Sequence, residues 1–427
     1  MRGEKIVITG MGVITPLGDT PEILYENLIA GRSAISWLKS VDTSRVACKI
    51  GGDLGLYNNF KKLNKYRSVL SGSQFDYLSS FVDRAPFSVI IPVFAALDAY
   101  IDAGLIGSDY YTGEDTCFYL GGHNFHNKAI DDTIYTFLKS PEQINPESQN
   151  FLSDFASVSL INNILGIKGQ AHTVGGACAS SGIAMKKGMI DILSGESTVA
   201  LVGGGILSFS DLGYKALELM SAIAYKSFND SPESASRPFD KRREGFVPSH
   251  GTGMIVLEKL SSALDRGAKI YAELVGVEYN NDGTHFSLPS KRGQVFVLNK
   301  LLNNNNIKPE NIDYINAHAT STPLGDNIEV ASIKEVFGDH AYRLKVNATK
   351  SMLGHTCWSS HVIELIVSIL QMNNSTLHPT INIEAVDDDI DIDICKNIAS
   401  RHNIDYFIKN SFGFGGINCC SLIKKYD

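Results

Sequence analysis

The sequence predicts an α/β protein: a parallel sheet covered by helices. Apolar, strand-like runs recur, most of them beside glycines, at KIVITGMG (5–12), TVALVGGG (198–205), GMIVLEKL (253–260) and IYAELVGVEY (270–279). Helical stretches alternate with them, among them GIAMKKGMIDILSG (182–195) and VIELIVSILQMN (362–373). Such alternation implies crossover connections, which leave strands parallel and helices on the sheet faces. A third pattern points to duplication. QAHTVGGACASSGIAMKKGMIDIL (170–193) reads as strand, small-residue turn, helix, and LKVNATKSMLGHTCWSSHVIELIVSIL (344–370) repeats that order. Two similar halves facing each other would bring the two turns together.

The chain has 427 residues, enough for two or three units or one large layered fold. It is 44% hydrophobic and 20% charged, the balance of a soluble globular protein. A net charge of −8 argues against nucleic acid or an anionic membrane surface as partner. Seven cysteines are irregularly spaced and none falls in a CxxC pair. Neither a disulfide framework nor a zinc knuckle is expected, and a reducing cytoplasm fits best. The opening MRGEKIVITGMGVITPLG has no apolar core long enough for a signal peptide and reads as a first strand with its turn. No stretch approaches the ~20 apolar residues of a membrane span.

Along the chain, residues 55–150 are less regular and read as insertions that cap the core. A boundary falls at LSSALDRGAK (260–269), dividing an N-terminal half, 1–262, from a C-terminal half, 263–427. NNNNIKPEN (303–311) and DDDIDID (387–393) read as solvated loops. Four segments carry chemistry. The first is the turn holding Cys178 among Gly, Ala and Ser at the start of a helix. The second is INAHATSTPLGDNIE (315–329), with His318, Thr320, Thr322 and Asp326 on a loop after a short strand. The third is NATKSMLGH (347–355), with Lys350 and His355. The fourth is NSFGFGGINCC (410–420), alternating Phe and Gly. Each alone has a bland reading, from a buried small hydrophobe for Cys178 to a plain turn for the last. GMGVITPLG lacks the G-x-G-x-x-G spacing of a nucleotide loop.

Together and in this order, the four segments resemble the β-ketoacyl-acyl carrier protein synthases of the thiolase superfamily, in the branch with a Cys-His-His site. The similarity runs nearly end to end, from ITGMGVITPLG through SRPFDKRREGFV to NSFGFGGIN. It implies a five-layered αβαβα fold built from two similar halves. It also implies decarboxylative Claisen condensation of malonyl-carrier protein with an acyl group held on Cys178. By the same resemblance, the backbone N–H groups of Cys178 and Phe414 form one oxyanion hole. His318 and His355 stabilise the enolate, Lys350 orients the cluster, and Glu364 holds Lys350. Thr320 and Thr322 bind pantetheine, with Phe412 and Phe414 beside the acyl pocket. No metal or bound cofactor is implied, since substrates arrive on the phosphopantetheine of an acyl carrier protein. A helix N-terminus fits the role of Cys178, because its unpaired N–H groups favour a thiolate.

Three segments depart from the family. TCWSSH follows Gly354-His355, so Trp358 stands where relatives have small residues. GGHNFHNK places Phe125 and histidines along the expected acyl pocket. His250 stands where relatives are usually acidic, and is expected to be structural. Phe125 and Trp358 are therefore expected to shorten or reshape the acyl pocket, and a polyketide or other specialised pathway is favoured. Two alternatives stay open: a malonyl-carrier protein decarboxylase making acetyl starters, and a non-catalytic partner subunit. Carrier docking is assigned to Lys61, Lys62, Lys65 and Arg67, with KRR (241–243) second. The family implies a homodimer, or a heterodimer with a paralogue.

Overall fold

The computed structural model describes residues 4–426. Ten strands form the main sheet: β1 (Ile6–Ile14), β2 (Thr116–Gly121), β3 (Ala171–Val174), β4 (Val199–Gly204), β5 (Thr252–Lys259), β6 (Ala272–Asn281), β7 (Tyr314–Asn316), β8 (Lys345–Asn347), β9 (Tyr406–Gly413) and β10 (Ile417–Lys424). Their order is β8-β7-β9-β10-β6-β1-β5-β4-β2-β3. The first five strands and the last five share one internal order, third-second-fourth-fifth-first. The two sets meet where Ile6–Ile8 pairs antiparallel with Ala272–Leu274.

Joined over only three residue pairs, each set of five acts as a sheet of its own, the first from β1–β5 and the second from β6–β10, and helices fill the layers around the two. The helices α1 (Phe87–Asp102), α2 (Ser180–Ser194), α3 (Asp211–Leu219), α4 (Lys291–Asn305), α5 (Pro323–Phe337) and α6 (Ser360–Asn373) are the ones that matter here. α1 packs outside the first sheet, on β1 and β5. α4 and α5 pack together outside the second, with α4 on β6 and β10. α2 and α6 touch each other and reach strands of both sheets, so they form the middle layer. Burial follows from that position. Every residue of α6 from Ser360 to Met372 is buried, because neither face meets water. Its Ile363, Leu365, Ile366 and Ile369 each contribute about 1.5–3 kcal/mol by leaving solvent. On α2, Gly182 permits close packing, since a Cβ there would come within 2.6 Å of Cys419 Sγ.

Two expectations need correction. The sheet is mixed, not parallel. β2 runs parallel to β3 and β4, and β7 to β8 and β9, but β5 is antiparallel to β1 and β4, and β10 to β6 and β9. Hydrophobic alternation reports that a helix intervenes, not in which direction the next strand returns. Residues 55–150 also do more than cap the core. They supply the outer helix α1 and the interior strand β2, both largely buried. Pro92 inside α1 masks the helical signal in the sequence.

Candidate active site

The Cys178 turn is a one-turn helix, Ala177–Ala179, wedged between β3 and α2. Ala177 sits at φ 47°, a left-handed conformation that costs a non-glycine residue about 1–3 kcal/mol. The same device recurs before α6. There the one-turn helix is Cys357–Ser359, and Cys357 sits at φ 49°. The two turns are in contact. In this pairing the counterpart of Cys178 is Trp358, and Lys350 and His355 lie just ahead of the second turn.

His355 is held by its backbone N–H, which donates to Val247 O at 2.7 Å. Its Nδ1 accepts from the Cys357 N–H at 3.3 Å, so Nε2 carries the hydrogen. That Nε2 lies 3.0 Å from Cys178 Sγ. His318 follows β7, and its ring stands edge-on to that of His355, 5.4 Å between centroids. The Cys178 sulfur and one nitrogen from each ring lie within 4.8 Å of one another. Among the described residues they are also the one Cys/His/Asp/Glu group spaced to hold a metal ion. Glu329 on α5 fixes the His318 loop by accepting from the N–H groups of His318 and Ala319, both at 2.8 Å. Asp326, one turn earlier, accepts from the Ser321 N–H at 3.1 Å.

Lys350 is buried, with Nζ 2.6 and 2.9 Å from the two oxygens of Glu364 on α6. Lys409 on β9 reaches the same carboxylate at 2.6 Å and is fully buried. Burial and the charge of Lys350 keep His318 and His355 well below the usual imidazole range, so both rings are neutral. Burial pushes the Cys178 thiol up to about 11, against Lys350 and the N–H groups of Phe414 and Cys178 itself. The resting sulfur is therefore a thiol, and helix placement alone does not ionise it. Gly413 lets the Phe414 backbone approach, since a Cβ at Gly413 would stand 3.0 Å from Cys178 N.

Cys178, His318 and His355 line a cavity of about 900 Å³. Its walls include Thr320, Thr322, Phe412, Phe414 and Trp358. The hydroxyls of Thr320 and Thr322 lie 3.1 Å apart. The rim is exposed at Phe286, Leu288 and Leu324. Phe125 does not line the cavity. Its ring is wholly buried against Gly122 and Gly205, behind the wall. The bulk that does reach the cavity is Trp358, its ring tilted 37° against that of His123 with 4.4 Å between centroids. The cavity as a whole is large, so Trp358 narrows it locally and does not fill it. His250 is buried, accepting from the Leu54 N–H and stacked on Phe209 at 3.7 Å, a structural role.

The docking expectation changes too. Lys62 points inward, 2.5 Å from Asp98, and cannot meet a partner. Lys61, Lys65 and Arg67 are exposed, though Lys65 faces Asp19 at 3.6 Å. In KRR, Lys241 pairs with Asp388, Arg242 with Glu384, and Arg243 is buried. Sequence reading missed Glu329, Lys409, Asn410 and His361. Glu329 shares a helix face with Asp326, and Lys409 interrupts the apolar strand run YFIKNSF. Those were the available signals.

The β-ketoacyl synthase N-terminal domain model matches residues 3–263, and the corresponding C-terminal domain model matches 271–384. The chain belongs to the β-ketoacyl synthase family. This synthase is an acyltransferase that forms carbon–carbon bonds. It is 33% identical to a 3-oxoacyl-acyl-carrier-protein synthase 2 of Synechocystis sp., over 100% of the chain and 99% of the relative. A protein of the same name from Coxiella burnetii is 31% identical over 100% and 99%. Among solved structures, the ishigamide ketosynthase/chain length factor aligns at TM-score 0.88 and 27% identity, over 99% of this chain and 100% of that one. A β-ketoacyl synthase of Burkholderia phymatum aligns at 0.86 and 25%, over 100% of both chains. The thiolase fold is thus the fold of the synthase, and no helix among its described residues is long and apolar enough to cross a membrane.

Proposed function

We propose that the synthase extends acyl chains held on Cys178, with both substrates delivered on the phosphopantetheine of an acyl carrier protein. The observation that carries this reading is the His355 Nε2–H placed 3.0 Å from the Cys178 sulfur, with His318 sharing the cavity. In the first half-reaction Cys178 attacks an acyl thioester. The carbonyl oxygen becomes an oxyanion held by the N–H groups of Cys178 and Phe414. The carbon–sulfur bond to pantetheine breaks, and the Cys178 proton leaves on the pantetheine sulfur. In the second, a malonyl thioester loses CO2. Its electron pair becomes an enolate held by the N–H groups of two neutral imidazoles. The enolate carbon attacks the acyl-cysteine, the bond to Cys178 breaks, and the Cys178 thiolate takes a proton from solvent to restore the thiol. Thr320 and Thr322 are assigned to the pantetheine amides, Phe412 and Phe414 to the acyl side, and Lys350 with Glu364 to the field around the sulfur.

Carrier docking is assigned to Lys61, Lys65 and Arg67, all exposed. Dimerisation is part of the reading. β3 is an outer strand of the sheet, and an edge of that kind is a template for pairing with a second chain. Homodimer and heterodimer with a paralogue are both compatible with it. Work in the cytoplasm, on a polyketide or specialised fatty-acid product, follows from the same reading and from the likeness to the ishigamide ketosynthase.

The test is a product assay with purified protein, malonyl-carrier protein and an acyl donor. A β-ketoacyl-carrier product is expected, and acetyl-carrier alone would make the protein a decarboxylase. Two variants sharpen it. His318→Ala removes one enolate donor and is expected to slow malonyl decarboxylation about 10²–10³-fold, or about 2.7–4 kcal/mol. An unchanged rate, read as CO2 release, would remove His318 from that role. Trp358→Ala should let longer acyl chains load on Cys178 than the parent accepts, read by intact mass across a ladder of acyl donors. Equal loading of acetyl and dodecanoyl chains on the parent would show that Trp358 sets no limit.

A further inference from the structure

Lys409 is a buried charge that the reaction as written does not use. We propose that Lys409 is a positioning residue of the site, acting through Glu364 and Lys350 to favour the ionised form of Cys178. This rests on the reading of Cys178 as the acyl acceptor.

Glu364 faces two lysines, Lys350 at 2.6 Å and Lys409 at 2.6 Å. All three side chains are at most 1% exposed. With one lysine, the pair would be neutral and Lys350 would present little net field to the sulfur. With the second lysine protonated, Glu364 is already compensated from the β9 side. The triad then carries one surplus positive charge beside Cys178. A buried surplus cation is costly, and a nearby anion offsets that cost. Glu329 is the other buried carboxylate near Lys409, and its oxygens are already taken by the His318 and Ala319 N–H groups and Asn410, so the further anion the site can form is the Cys178 thiolate.

The surroundings of Lys409 bear this out from each packed element. From α6 it faces Glu364 and His361, and His361 is occupied by Ser411 and Ser421 at 3.0 and 2.7 Å. From α5 it faces Glu329, which is held by the His318 and Ala319 N–H groups and by Asn410. From β10 it faces Cys419 and Cys420, both kept as thiols by burial. Its charge is also felt at His318 and His355, where it helps keep the rings neutral. Burial, reinforced by the charge of Lys350, brings the Lys409 ammonium down to about 8. Below that pH the surplus charge is present. Above it, the proton leaves to solvent and the triad is neutral.

Alkylation of Cys178 by iodoacetamide tests this without any carrier-bound substrate. The rate is read by peptide mass over pH 6–9.5 for the wild type, Lys409→Met and Lys409→Arg. Lys409→Met keeps the Lys350–Glu364 pair and is expected to fold; should it not, Lys409→Gln is read in its place. At pH 7 the neutral variant should react about tenfold more slowly, one pKa unit at the sulfur. The difference should fade as pH passes the Lys409 value of about 8. Lys409→Arg keeps a charge at all these pH values and should stay near the wild-type rate at pH 7. A merely structural lysine would give curves that coincide, or that differ by a constant factor at every pH, and either result overturns the proposal. The product assay is separate: the expected alkylation profile without condensation would sink the proposed function and leave only the coupling of Lys409 to the Cys178 sulfur standing.

Discussion

Replacing Cys178 with alanine is expected to abolish condensation and the acyl adduct together, while malonyl decarboxylation persists. The loss should be about 10⁴-fold or more, the scale seen when a covalent nucleophile is removed from a site whose other parts act with it. The split between the two activities is the informative part. Condensation needs a sulfur to carry the acyl group. Decarboxylation needs only donors for the enolate, and the proposed donors are the imidazoles of His318 and His355, which the alanine substitution leaves in place. The fold should tolerate the change, because a smaller side chain on the same turn leaves the Ala177 conformation and the start of α2 intact. Intact-mass detection of acyl-enzyme, together with CO2 release from a malonyl thioester, reads both halves. Persistence of condensation would remove Cys178 from the mechanism. Loss of both activities in a folded variant would mean that the thiol also serves the enolate.

The chemistry was legible because it sits in local sequence. Cys178 lies in a run of small residues ahead of a helix, and Lys350 and His355 lie five residues apart on one turn. Strand existence was legible from β-branched runs beside glycines, as at β1 and β5. Strand direction was not, because it depends on where a long connection re-enters the sheet. Charges closed by distant partners were also invisible. Lys62 reads as a surface lysine in KKLNKYR until Asp98 is placed against it. Lys409 reads as one polar residue in a strand until Glu364 arrives from the middle layer. Phe125 was expected to line the acyl pocket, but its ring is buried between Gly122 and Gly205, a matter of which way one side chain turns. In each case the missing information is a contact between elements far apart in the chain.

Glu364→Ala is expected to have the largest effect on stability. It strands two fully buried ammonium groups, Lys350 and Lys409, with no other carboxylate in contact with either among the described residues. Removing one partner of a buried pair costs about 3–5 kcal/mol, and here one deletion breaks two pairs. A domain's whole margin is about 5–15 kcal/mol, so the variant should be unfolded or close to it at neutral pH. The sign with pH is fixed by Lys409. Its value is already lowered to about 8 in the parent, and removing the carboxylate, which raises it, lowers it further. The folded state then binds fewer protons than the unfolded state between that lowered value and the ordinary lysine value of about 10.4, and stability rises with pH across that window. Thermal melts at pH 7 and pH 9.5 should show the alanine variant recovering on the alkaline side. A triple variant, Lys350→Met with Glu364→Leu and Lys409→Met, removes the charges together and should melt at or above the parent, as well-packed apolar replacements of buried ion clusters often do. It should also be inactive in condensation. That pairing of results separates what the triad does for folding from what it does for the sulfur: a cluster whose complete removal restores stability yet ends catalysis is kept for the field it places at Cys178. Normal melting of Glu364→Ala at pH 7 would mean instead that water or a neutral lysine relieves the buried charge, and the electrostatic account of the site would fall with it.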